Sequence, residues 1–269
     1  MRDQLRYSAY HEVVSERGNS RRIGLARARS KLGYCSRSQA AGLIRARRVS
    51  LNGTVTRDPE QPVDLARDHI QVDGQRIFEE KKIYLMLNKP RGIVTTASDE
   101  RGRDTIYSLL GASLPWLGPV GRLDKASEGL LLVTNDSEWA ARITDPNTHL
   151  DKTYHVQVNT VADESLLQRL REGVSDDGDS LRARQARILR GGERNTWLQV
   201  VLDEGKNRQI RRMLAHVHIE VLRLVRVAIG PLTLGDLARG QVRPLSKGEK
   251  AALDAHIAKA ANLSQATGL

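Results

Sequence analysis

Residues 121–136 run GRLDKASEGLLLVTND and set Arg122 and Asp124 directly ahead of four apolar residues, 130–133. A carboxylate on the lip of a buried strand can act as a nucleophile. Apolar surroundings raise its pKa, and a nearby guanidinium restores the anion. Surface loops also carry aspartates, and with 32 acidic residues in the chain residue type alone does not single out Asp124. A second cluster lies in EGKNRQIRRM, residues 204–213. There Ile210, Leu214 and Val217 mark the buried face of a helix, with Arg211 three residues before Leu214. Arg208 and Arg212, at i and i+4, share a different face. Tyr154, in KTYHVQV, is either an active residue or a core tyrosine with a satisfied hydroxyl.

Other chemistries lack their residues. There is no Gly-x-x-x-x-Gly-Lys-Ser/Thr phosphate loop, no Gly-x-Gly-x-x-Gly turn and no Cys-x-x-Cys pair. His216 and His218 would share one face of a strand, but supporting metal ligands are not evident, so packing histidines are expected. The expectation is therefore no cofactor and no metal, with ordinary side chains carrying the reaction.

The elements that must position these residues fall into two groups. At 269 residues the chain is long enough for about two domains. Between Glu16 and Asp58 there are eleven Lys and Arg residues and no acid, which equals the whole net charge of +11. Such a segment implies a polyanionic partner. A capping-box pattern, Ser36-Arg-Ser-Gln39, starts a helix with Leu43 and Ile44 on its buried side. Arg37, Arg45, Arg47 and Arg48 are left as outward-facing cations. Asn52-Gly53 and Asp73-Gly74 mark tight hairpins between short alternating strands. After a charged joint at residues 78–82, strands are expected at residues 83–87, 153–158, 181–189, 196–202 and 221–229. Helices are expected at 139–143, 162–174, 208–217 and 247–260. Strands both adjacent to one another and interleaved with helices predict an α+β fold with a mixed, largely antiparallel sheet. The boundaries follow: a flexible tail over 1–20, a small basic module over 21–78, a larger domain over 82–246, and a C-terminal helix and tail over 247–269. A single cysteine, Cys35, no apolar leader and no membrane-length apolar run point to the cytoplasm.

SKLGYCSRSQAAGLIRARRVSLNGTVTRDP, within residues 22–75, resembles the S-four RNA-binding module, in which a basic helix pair lies along RNA backbone. GRLDKASEGLLLVTND is similar to the central motif of pseudouridine synthases of the RsuA type, a family that includes the RluB, RluE and RluF groups. LMLNKPRG (85–92), KTYHVQV (152–158), EGKNRQIRRM (204–213) and LVRVAIGPLTLG (224–235) match in family order. The resemblance implies an isomerase that converts uridine in ribosomal RNA to pseudouridine, acting as a monomer on the RNA or on a ribosomal assembly intermediate. It implies that Asp124 is the catalytic aspartate and that Arg211 is its pairing arginine. Tyr154 then stacks on the flipped base, and Leu224 lines the uracil pocket. Arg122 orients the catalytic loop or meets phosphate, and Arg208 and Arg212 face RNA. Two positions depart from the family pattern, Ser137 and His218, each where glycine is usual. The rival reading, a ribosome-associated RNA-binding protein without chemistry, leaves five catalytic-domain motifs without a purpose.

Overall fold

The computed structural model describes residues 22–96, 102–111 and 113–266. The expected tail over 1–20 lies outside them, as do residues 267–269. The chain divides into two compact units, one from Met1–Arg29 and Arg37–Phe78, the other from Ser30–Ser36 and Glu79–Leu269.

The first unit is built from β1 (Ile23–Gly24), α1 (Leu25–Lys31), α2 (Arg37–Arg45), β2 (Val49–Leu51), β3 (Thr54–Val55), β4 (Pro62–Val63), β5 (Ile70–Val72) and β6 (Gln75–Arg76). The last strands form a sheet in the order β3-β2-β5-β6, while β1 pairs with β4. Both predicted hairpins are present. Asn52 and Gly53 take φ of 51° and 83°, and Asp73 and Gly74 take 48° and 79°. Two successive positive φ values match the right-handed twist of the flanking strands. Asn52 adds side-chain bonds to Asp68 (2.9 Å) and to the amide of His69 (2.8 Å). In α2, Ala40 and Ile44 are buried while Leu43 is only partly so. Among the described cations of the charge run, Arg29 is fully buried.

The second unit contains β7 (Tyr84–Lys89), β8 (Gly118–Val120), β9 (Glu128–Thr134), α3 (Ser137–Thr144), β10 (Lys152–Val158), α4 (Glu164–Glu172), β11 (Val174–Asp176), β12 (Asp179–Leu181), β13 (Gln185–Gly191), β14 (Thr196–Leu202), α5 (Gln209–His216), β15 (Val221–Ile229), β16 (Leu232–Thr233), β17 (Val242–Pro244) and α6 (Lys247–Ala266). Its main sheet runs β13-β14-β10-β15-β9-β7-β17, with β8 on β9 and β16 on β15. All of its named strand pairs are antiparallel except β9 with β15. The strand expected over 181–189 is broken instead. Asp177-Gly178 turns β11 into β12, and a new strand, β13, begins at Gln185. This hairpin carries the same Asp-Gly signal as the others, but its three-residue strands are too short and polar for alternation to show.

The strand behind Asp124 is central. All seven residues of β9 are buried. Leu130 and Leu132 join a core with Trp139, Ile143 and Ile257, and Leu131 and Val133 join another with Leu85, Leu87 and Leu117. Two covered faces explain why four apolar residues follow one another without alternation. The strand ends where Asn135, fully buried, accepts from the Ile83 amide (2.8 Å) and donates to Lys81 O (2.9 Å). Asp136 then caps α3 through the Trp139 amide (3.0 Å). Gly129 takes φ of 101°, and a Cβ there would lie 2.2 Å from the Arg226 carbonyl oxygen. Only glycine allows β9 and β15 to approach this closely.

Candidate active site

The loop between β8 and β9 carries Asp124, and its backbone is held carbonyl by carbonyl. Leu123 O accepts from Thr95 Oγ1 (2.8 Å), and Asp124 O accepts from Lys89 Nζ (3.1 Å) and from the Ser127 amide (3.0 Å). Lys125 O accepts from the Gly92 amide (2.8 Å), Ala126 O from Arg211 Nη2 (3.0 Å), and Ser127 O from Lys89 Nζ (2.9 Å). Five consecutive carbonyls are thus bonded, which fixes the loop while leaving the Asp124 carboxylate uncommitted to the backbone. A reactive group needs this kind of support to keep its aim.

Lys89 is the centre of this support. It is fully buried at the end of β7, and its third bond goes to Pro90 O (3.1 Å). Burial lowers its pKa to about 8, against a partial restoring pull from Asp124 and Glu128. Glu128, also buried, is forked by Arg223 (2.9 and 3.1 Å) and approached by Arg239 (3.4 Å). Burial pushes the Glu128 carboxyl up, but those arginines hold it below its ordinary value.

Asp124 is 31% exposed and lines a cavity of about 580 Å³ together with Arg122, Tyr154, Arg208 and Leu224. Among the described residues the closest cation to the carboxylate is Arg208, with Nη1 3.9 Å from Oδ2. Arg211 makes no ion pair with Asp124 within 4 Å. Its Nη atoms donate to Ala126 O (3.0 Å) and Val221 O (3.2 Å), so here it holds the loop that carries the aspartate. The two charges still act on each other. Burial and Arg208 lower the Arg211 pKa, and Asp124 raises it.

Tyr154 lies on β10, paired in register with Arg226 on β15, and Leu224 is a buried neighbour along the same strand. Arg122 is exposed at the cavity rim. Arg212 departs from its expected role. It donates to Asp176 (2.5 Å) and Asp179 (2.8 Å) and to Asp176 O (2.6 Å), bracing the β11–β12 hairpin onto α5 rather than facing outward beside Arg208. Arg208 itself is the residue before α5, with φ of 49°, so the two do not share a helix face. His216 and His218 are not on a strand. His216 ends α5, and His218 follows with φ of 60°, the backbone conformation that glycine favours at this turn. Among the described residues no group of three potential metal ligands occurs.

In the first unit Arg37, Arg45 and Arg47 are exposed, with no carboxylate within 4 Å among the described residues. Arg48 is also exposed but forks Asp73 (2.8 and 2.6 Å), holding that carboxyl below its ordinary pKa. Three arginines of the four are therefore unpaired.

Residues 83–216 match the RNA pseudouridylate synthase family, and residues 30–70 match the S4 domain. A chain from Aquifex aeolicus (strain VF5) named as an uncharacterized RNA pseudouridine synthase is 37% identical over 225 residues, covering 83% of this chain and 90% of that one. The chain belongs to the RNA pseudouridine synthases. Its order of an S4 domain followed by the synthase fold is the RsuA organisation. It is similar to the ribosomal large subunit pseudouridine synthase B of Bacillus subtilis (strain 168), 33% identical over 81% of this chain and 89% of the relative. Among solved structures, one described as a pseudouridylate synthase has a TM-score of 0.62 at 30% identity, covering 86% of this chain and 99% of that one. The synthase is thus an isomerase acting on RNA. No helix among its described residues is long and apolar enough to cross a membrane.

Sequence reasoning missed Lys89, Thr95, Lys152 and Arg226. Lys89, Lys152 and Arg226 sit inside quoted motifs, and a lysine closing an apolar run was the available signal for Lys89. Thr95 had none.

Proposed function

We propose that the enzyme isomerises uridine in ribosomal RNA, with Asp124 as nucleophile. The observation that carries this reading is the carboxylate itself: it opens into a cavity while all five carbonyls of residues 123–127 are bonded elsewhere. A uridine flipped into the cavity stacks on Tyr154 and rests on Leu224, at an unstacking cost of a few kcal/mol. Asp124 attacks, the glycosidic bond breaks, and the uracil turns while held. C5 then bonds to the ribose carbon as the Asp124 carboxylate leaves it, and the proton lost from C5 is balanced by the one gained at the freed nitrogen. Tyr154 assists removal of the C5 proton. Arg208 faces the carboxylate, and Arg211 aims it through the loop. Arg122 meets RNA at the rim.

The name of the Bacillus subtilis relative supports ribosomal RNA as the substrate. The unpaired Arg37, Arg45 and Arg47 support a module at residues 21–78 that holds RNA backbone. We expect a cytoplasmic monomer to suffice, because every residue assigned to the reaction comes from one unit. Mapping pseudouridine in the ribosomal RNA of a deletion strain tests the reading. Loss of at least one site, restored by the wild-type gene, is expected; an unchanged map contradicts it.

A further inference from the structure

Two cations in the cavity wall are used neither by the loop nor by the aspartate. Lys152 and Tyr154 are two residues apart on β10 and so point to one face of the sheet, and Arg226 stands opposite Tyr154 on β15. All three line the cavity that holds Asp124. Arg226 is 6% exposed. Its Nε donates to Leu130 O (2.7 Å), and its Nη2 is buried with no hydrogen-bond partner. Lys152 Nζ has neither a hydrogen bond nor a carboxylate within 4 Å among the described residues.

Burial, and then the charge of Arg226, push the Lys152 pKa below its ordinary value. Asp151 and Asp203 pull the other way without reversing the shift, and Asp151 is bound to Arg184 at 2.7 Å. Two like charges in a partly desolvated wall repel each other, and a bound anion turns that repulsion into attraction. A uracil carbonyl is satisfied by a neutral donor. Two full cations, one of them a guanidinium with a spare donor, match a phosphate group.

We propose that Lys152 and Arg226 form a phosphate subsite that holds a backbone phosphate of the target nucleotide and so sets which base reaches Tyr154 and Leu224. The proposal rests on the functional reading above. Lys152 is the residue to vary first, because its removal leaves no hydrogen-bond partner unsatisfied.

The test is calorimetric titration of the full-length chain with uridine, uridine 5′-monophosphate and uridine 3′-monophosphate. The wild type is expected to bind one of the monophosphates about tenfold or more tightly than uridine, a difference of about 1.4 kcal/mol. Lys152→Met should remove most of that preference and leave uridine affinity unchanged, while Lys152→Arg should retain it. Arg226→Lys, checked for folding by its thermal transition, should weaken the preference as well. Equal affinity of the wild type for all three compounds overturns the proposal. So does a Lys152→Met variant that loses uridine and the monophosphates alike, since that places Lys152 on the base. Pseudouridine formation in ribosomal RNA is measured in parallel. An inactive wild type with an intact phosphate preference contradicts only the functional reading, and an active one without the preference contradicts only the subsite.

Discussion

In the first unit Arg37, Arg45 and Arg47 stand in solvent with no carboxylate within 4 Å among the described residues, whereas in the second Lys89, Arg211 and Arg226 are drawn inward and donate to backbone carbonyls. The same two residue types perform different physical tasks. An exposed, mobile cation releases counterions when it meets a phosphate and contributes affinity without fixing a geometry. A buried cation has lost most of its hydration, so a carbonyl or anion that replaces the water stabilises it, and each bond to a carbonyl fixes a segment of backbone. On the proposed function, exposed charge in the first unit attracts RNA, whereas Lys89 and Arg211 in the second set position.

That contrast breaks most visibly at Arg211. Arg211→Ala leaves Ala126 O and Val221 O without their donor, each at a cost of about 1–3 kcal/mol where the group stays buried. Part of the loss falls on stability and part on the aim of the loop. A drop of about a hundredfold or more in single-turnover rate is expected, with RNA affinity falling only modestly. Arg211→Lys keeps the charge but reaches only one carbonyl at a time, so it should recover part of the rate. A normal rate with badly weakened binding would move Arg211 into the class of phosphate contacts.

Lys89 sharpens the comparison through pH. Protonated, it supplies three donors to three carbonyls; neutral, it supplies two. Its folded pKa of about 8 lies below the ordinary 10.5. Above about pH 8 the unfolded chain therefore holds a proton that the folded chain has released, and this group makes stability rise with pH in that window. Loop order goes the other way. The single-turnover rate should fall as pH rises through about 8 without a fall in stability from this group. Lys89→Met should flatten that limb and cost about 2–3 kcal/mol in a denaturant titration, from carbonyls left unpaired. A limb that persists in Lys89→Met would assign it to another group.

These side chains also mark what the sequence discloses. The hairpins at Asn52-Gly53 and Asp73-Gly74, the strands at 196–202 and 221–229 and the buried run at 130–133 are legible because local chemistry and burial agree there. Asp124, Tyr154, Arg211 and Leu224 were selected by the ordered motifs, not by their residue types. Arg211 was expected to pair with the aspartate, and instead it holds a carbonyl two residues away, a distinction that depends on loop geometry no spacing rule encodes. Arg212 was given to RNA because its i−4 partner is Arg208, while the carboxylates that claim it lie on a hairpin more than thirty residues earlier. Arg29 looks like its basic neighbours and is buried.

The smallest effect is expected in the first unit. Replacing Arg37, Arg45 and Arg47 together by glutamine should weaken RNA binding and reduce the slope of log affinity against log salt by about two to three, one phosphate contact each. The rate at saturating RNA should stay within about threefold of wild type, because no carbonyl of the catalytic loop depends on these residues. A large fall in that rate with an unchanged salt slope would erase the division between attraction and positioning.

The most direct measurement is single-turnover pseudouridine formation by Asp124→Asn at saturating RNA, with RNA affinity determined on the same preparation. Asparagine preserves the shape of the side chain and every bond to the carbonyls of residues 123–127 while removing the anion. The expected result is a folded protein that binds RNA near wild-type affinity and forms pseudouridine at least about a thousandfold more slowly. Turnover within about tenfold of wild type would contradict the assignment of Asp124 as the nucleophile.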